Sequence, residues 1–264
     1  MMRSGKAGLI SCVALLMAAP QARAQTGDAI MDTVLAGITA RGRELAAYDV
    51  AAWHATDAVQ ALPGERLPVN AFVARQDSSG RWVVSFGRLA EARDTFYRAY
   101  EAVQGDTPEQ FNVKVHSPPE AMTGHERAAA AALRLGISAF GPVQRPYNGY
   151  VFPAPGGDWW VYLLPAQTEW GVFPHGGDVR YRVSADGATI LETRQTHRTL
   201  MNRQLPDSAT LGMHTAVVDT LPEDSDVFLV LSRVPHKPEY VVSDCCIYAV
   251  QLDGRIVMMK RDDR

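Results

Sequence analysis

The chain has 264 residues, 26 basic against 29 acidic side chains and three cysteines, and 47% of its residues are hydrophobic. A chain this long can bury a sizeable core without cross-links, and two or three cysteines cannot build a disulfide framework. The acidic balance, with no Lys/Arg cluster, argues against binding to nucleic acid or to an anionic membrane.

The first 24 residues have the layout of an export signal: Arg3 and Lys6, an apolar run from Leu9 to Ala18, and the small-x-small site Ala22-Arg23-Ala24. Cleavage after Ala24 leaves 23 basic against 29 acidic residues and predicts a periplasmic or secreted protein. The apolar run is too short to span a bilayer, and no later segment reads as transmembrane. Cys12 follows Leu9-Ile10-Ser11 as in a lipoprotein cleavage box. Too few apolar residues precede it for a lipid anchor to be the preferred reading.

From Asp28 to Leu62 the spacing of Ile30, Met31, Val34, Leu35 and Ile38 predicts helix, with an interruption at Gly42 and a stop at Pro63-Gly64. Two strands, Leu67 to Arg75 and Arg81 to Leu89, flank the turn Asp77-Ser78-Ser79-Gly80. Arg93 to Val103 reads as helix and Phe111 to Val115 as a short strand. Ser117-Pro118-Pro119-Glu120 and Thr123-Gly124-His125-Glu126 both have capping-box spacing, and the second opens an Ala-rich helix that Gly136 is expected to end. Gly141 to Gly149 is the best linker candidate. The chain thus divides into a signal (1–24), a helix-rich α+β portion (25–140) and an antiparallel β portion (148–264), the last two forming one continuous domain or two. The fold class predicted is α+β, an antiparallel sheet packed against N-terminal helices.

After Tyr150, strands alternate with tight turns. The Asp186-Gly187 hairpin is best registered with Arg180 opposite Glu192 and Asp178 opposite Arg194, which satisfies charge pairs. Extended outward, that register sets His175 opposite His197, and the proposal stands or falls with the pairing of Arg180 and Glu192. His214 to Thr220 and Val227 to Val234 read as strands, Glu223-Asp224-Ser225-Asp226 as the turn between them, and Tyr240 to Leu252 with Arg255 to Lys260 as a central covered pair. Cys245 and Cys246, neighbours in a strand, should face opposite ways and behave as small buried hydrophobes. A vicinal disulfide is the alternative.

The motifs of serine hydrolases, P-loops and dinucleotide folds are absent, and the sequence points to no cofactor. His175 and His197 read first as solvated strand-end residues. The alternative is a metal site of His175, His197 and His214, or Asp219 in place of His214. His54 and Asp57, three apart on a helix beside Trp53, read as a local surface pair. Trp160, Trp170 and Tyr150, within an aromatic stretch rich in glycine loops, are the candidate ligand-binding residues. Two functions are therefore expected in order: a non-enzymatic binding or envelope-accessory module for a peptide, glycan or protein, and then a hydrolase using the histidines.

Overall fold

A computed structural model describes residues 19–206 and 208–261, with side chains from 29 onward. The expected n-region, most of the apolar run and Cys12 lie outside the described residues. Among those described are three α-helices and fourteen strands, an α+β fold. No described helix is long and apolar enough to cross a membrane.

Helix α1 (Ala19–Gln60) is followed by β1 (Ala71–Gln76), β2 (Trp82–Leu89), β3 (Phe96–Gln104) and β4 (Phe111–Met122), a four-stranded meander. Helix α2 (His125–Phe140) leads into β5 (Tyr147–Pro153) and β6 (Trp159–Pro165), which form a second sheet with β8 (Val179–Val183) and β9 (Ile190–Gln195). Between them β7 (Phe173–His175) leaves this sheet to pair with β10 (Met201–Arg203). The last sheet has the order β11 (Gly212–Thr215), β12 (Glu239–Val242), β13 (Cys246–Val250), β14 (Ile256–Arg261), with α3 (Asp224–Ser232) crossing over between β11 and β12. That crossover makes β11 and β12 parallel, while every other ladder is antiparallel.

The layers follow from which side chains each element buries. Leu45, Tyr48, Ala52 and Ala55 of α1 pack on the first sheet and on Tyr150, Phe152, Tyr162 and Leu164 of β5 and β6. The opposite face of the second sheet, with Val151, Val161 and Val183, takes the alanine stripe of α2. Leu35 and Ile38, earlier on α1, join Val227 and Val230 of α3 over Val241, Tyr248 and Val250. One helix thus contributes to two cores. The linker candidate is a short loop that enters β5 at Tyr147.

Several sequence expectations are corrected. Gly42 does not interrupt α1. It faces α3, where an added Cβ would stand 2.4 Å from Val227 Cβ and 2.6 Å from the Asp224 carbonyl oxygen. Gly136 does not end α2, because it lies against Val161 and the helix runs on to Phe140. The capping box expected at Thr123 is not formed, Gly124 being the N-cap with no side-chain bond. The other expected box lies within β4.

Residues 93–103 contain β3, not a helix. Against β2, Phe86 pairs with Tyr100 and Gly87 with Arg98, so Ala99 is one extra residue in β3 and positions 98–100 are all buried, which breaks the period of two. Residues 227–234 hold most of α3, not a strand, for an unbroken apolar run carries no period that separates the two. The expected strand from Tyr240 to Leu252 is broken by a turn at 243–245, and β14 is an edge strand.

Replacing Gly42 with Ala should cost about 1–3 kcal/mol of stability by overpacking. Gly37→Ala, whose added carbon meets only the Arg41 guanidinium at 3.4 Å, should be neutral or stabilising by up to about 1 kcal/mol. Urea denaturation of the two variants side by side checks this, and equal responses would refute the α1–α3 packing.

Candidate metal centre

Three histidines from separate elements converge on one carboxylate. His175 ends β7, His197 follows β9, His214 lies in β11, and Asp226 stands in the first turn of α3. One ligand atom from each lies within 4.8 Å of the others. Asp226 Oδ1 is 2.9 Å from His175 Nε2 and 3.2 Å from the Nε2 atoms of both His197 and His214. Ligand atoms on a tetrahedral zinc ion, with bonds of about 2.0–2.1 Å, stand about 3.3 Å apart. Each imidazole nitrogen thus stands near that spacing from Asp226 Oδ1, and with the set spread over up to 4.8 Å a shared cation would draw the nitrogens toward one another.

Local structure explains how each arrives. Glu223 and Asp226 form a capping box at the start of α3, in which Asp226 Oδ2 accepts the Glu223 backbone N–H at 2.8 Å. That bond leaves Oδ1 for the histidines. Gly176 has φ +87°, and an added Cβ there would stand 2.1 Å from the Thr199 carbonyl oxygen and 3.2 Å from His197 Cβ. Only glycine combines that backbone with so close an approach, and the approach brings His197 beside His175.

A second ring of carboxylates fixes the imidazoles. Asp178 Oδ1 lies 3.0 Å from His197 Nδ1, and Glu239 Oε1 lies 3.0 Å from His214 Nδ1. Glu239 is held in turn by Arg203 and, at 2.7 Å, by Arg233. An imidazole that donates its Nδ1 hydrogen to a carboxylate presents a bare Nε2 lone pair, the usual arrangement of a metal-bound histidine. His175 Nδ1 is buried without a hydrogen-bond partner.

The electrostatics follow. Burial opposes charge on His197, yet Asp226 and Asp178 raise its pKa to about 11. Burial likewise opposes charge on His214, and hydrogen bonds to Asp226 and Glu239 raise it to about 9. His175 is pushed down by burial and by the charges on the other two histidines, against the pull of Asp226. Burial would raise Asp226, but the His197 charge and the three imidazole hydrogen bonds hold it well below the usual carboxylate range. The cluster thus supports two positive charges, carried by two protons or by one divalent ion.

The expected ladder pairing of His175 with His197 is not formed, and the two rings meet by another route. Arg180 lies opposite Arg194, and Glu192 opposite Arg182, two residues from the expected register. The hairpin loop holds one more residue than expected, with Ser184 bonded to Thr189, and a bulge follows at Arg182/Val183. A shift of two keeps every side chain on its face, so Arg180 still reaches Glu192 diagonally at 3.4 Å. His175 itself is across from Met201, and its ring centroid is 4.6 Å from that of His197. Asp219 stands apart, paired with Arg194 at 2.8 Å. Asp226, Asp178 and Glu239 were not among the sequence candidates. The available signal was the three-residue spacing of Glu223 and Asp226 ahead of an apolar run.

Of the other candidates, Tyr150 and Trp170 line one cavity of about 590 Å³, which also reaches His175 and Asp178. Tyr150 is buried and donates to Asp49 at 2.8 Å, whereas Trp170 is 85% exposed. Trp160 is half-buried beneath the Arg180 guanidinium, 4.6 Å from its ring centroid, and does not line the cavity. His54 stacks on Trp53. No protein-family model, curated protein or solved structure matches this chain, so function is read from the chemistry of these side chains.

Metal must displace the protons held by His197 and His214, so affinity should rise with pH through about 9, where His214 deprotonates, and less steeply on to about 11, where His197 does, with proton release on binding. The sign for the metal-free protein is opposite. Both imidazoles have raised folded-state pKa values, so their stabilisation is complete below about 6.5 and is lost as pH rises through about 9 and then about 11. Competition against a chromophoric chelator from pH 6 to 9 tests the first statement, and thermal melts with and without metal test the second. Asp178→Asn and Glu239→Gln should each weaken metal binding about 10–100-fold.

Proposed function

We propose that this protein is an exported, non-enzymatic binding module whose fold is closed by one divalent transition-metal ion of the zinc class. The observation that carries the reading is the convergence of three imidazole Nε2 atoms and Asp226 Oδ1 on one buried point, with second-ring carboxylates on two of the rings. Imidazole with carboxylate suits zinc among the first-row ions, and four protein ligands fill a tetrahedron, which is the mark of a structural site. The export signal, the acidic balance and the missing catalytic motifs support an envelope-accessory role without nucleic-acid partners. The cavity that Tyr150 and Trp170 line is the natural place for a peptide or glycan, its walls being mostly apolar and aromatic.

A metal-dependent hydrolase is the second reading, favoured by one observation: His175 and Asp178 form part of the cavity wall. Such an enzyme needs a ligand position left for water.

Elemental analysis of protein purified without chelator should find one zinc-class ion per chain, and Asp226→Ala should remove it. Adding metal at about 1,000 times its Kd should stabilise the metal-free protein by about 4 kcal/mol. The cobalt-substituted protein separates the two readings. A visible spectrum indifferent to added azide supports the closed site, and one that shifts supports the hydrolase. Absence of bound metal and of any metal-induced stabilisation would remove both.

A further inference from the structure

Cys245 and Cys246 do not sit together in a strand. Val242 pairs with Ile247, and the Ser243 N–H donates to the Cys246 carbonyl at 2.9 Å, so Asp244 and Cys245 form a two-residue loop and Cys246 begins β13. The rule that neighbouring strand residues face apart therefore does not separate them. Both thiols are free, and their Sγ atoms are 2.8 Å apart. Ordinary non-bonded contact keeps heavy atoms about 3.5–4 Å apart, and an S–S bond is about 2.05 Å. The turn thus holds the two sulfurs nearly within bonding reach.

We infer that Cys245 and Cys246 form a reversible dithiol/disulfide site that exchanges with external disulfides. The site lies outside the set of candidate metal ligands.

The two thiols have different roles. Cys245 is partly exposed in the loop, with the Ser243 hydroxyl 3.7 Å from its sulfur. Contact with the Cys246 thiol and then with Ser243 pushes its pKa down. Cys246 is buried against the α1–α3 core, and burial pushes its thiol up. Cys245 as thiolate attacks one sulfur of the external disulfide, forming a mixed disulfide and releasing one thiol. Cys246 then loses its proton and attacks Cys245 Sγ, closing the vicinal bond and releasing the second thiol. Two electrons pass from the cysteine pair to the external disulfide, and the two protons leave with the released thiols. Neighbouring Cα atoms are about 3.8 Å apart across a trans peptide, closer than the usual 4.4–6.8 Å of bridged cysteines, and such a departure makes a disulfide easier to reduce. The product is suited to cycling and not to permanent cross-linking.

The full chain is equilibrated in glutathione buffers of increasing oxidised fraction, quenched in acid, alkylated and read by peptide mass spectrometry at 245–246. The inference expects both alkylation sites to disappear together, without accumulation of glutathione on the wild-type pair, and to return on adding reduced glutathione. Cys246→Ser, and Cys246→Ala should the serine disturb the core, should trap glutathione on Cys245. Persistence of both alkylations in the oxidised buffers would overturn the inference. So would a wild-type reaction that stops at the mixed disulfide, or failure of both Cys246 variants to trap one.

Discussion

The carboxylate of Asp226 is the point on which the C-terminal part of this structure depends. One of its oxygens closes the first turn of its own helix, and the other faces three imidazoles. A buried anion of this kind is tolerable only when it is fully paired. The pairing draws β7, the segment after β9, and β11 to the N-terminus of α3. None of these segments is long. Strands β7, β10 and β11 have only three or four residues each, and such short strands gain little from their own ladders. Polar convergence supplies order here that strand pairing supplies elsewhere.

The remaining buried charges extend the same pattern outward. Asp224, two residues before Asp226, accepts hydrogen bonds from Arg180 and Tyr162 at 2.7 Å and is bridged to Arg41 at 2.9 Å. Arg194 bonds Glu223 at 2.6 Å. Burial raises the Glu223 carboxyl to about 7 even against the pull of Arg194. The first turn of α3 is therefore tied to α1, to the second sheet and to the histidine cluster by three acidic residues, Glu223, Asp224 and Asp226. Acidic residues also suit the positive end of a helix, so local and tertiary demands agree at this turn.

Much of the fold was legible where local chemistry decides it. The helical spacing of α1, the turn at Asp77–Gly80, the alanine run of α2 and the left-handed Gly187 all mark structure that needs no distant partner, although Ile30 and Val34 of the expected α1 stripe stand exposed. Strand β3 and helix α3 were not legible, because a bulge altered one period and an unbroken apolar run hid the other. The histidines were half legible. They read first as solvated strand-end residues, with a ligand set as the alternative. Instead His175 is buried and His197 nearly so, and the ladder expected to join the two has another register. The real link is the β7–β10 pair together with the close approach at Gly176. Asp178, Asp226 and Glu239 came from segments with no motif spacing relative to the histidines, and only tertiary structure brings them together.

The Arg180 guanidinium has a consequence for observing this protein. It lies over the indole of Trp160 while holding Asp224. A cation fixed against an aromatic face shifts the electronic environment of that ring. Trp160 is thus a built-in optical reporter of how the first turn of α3 is seated.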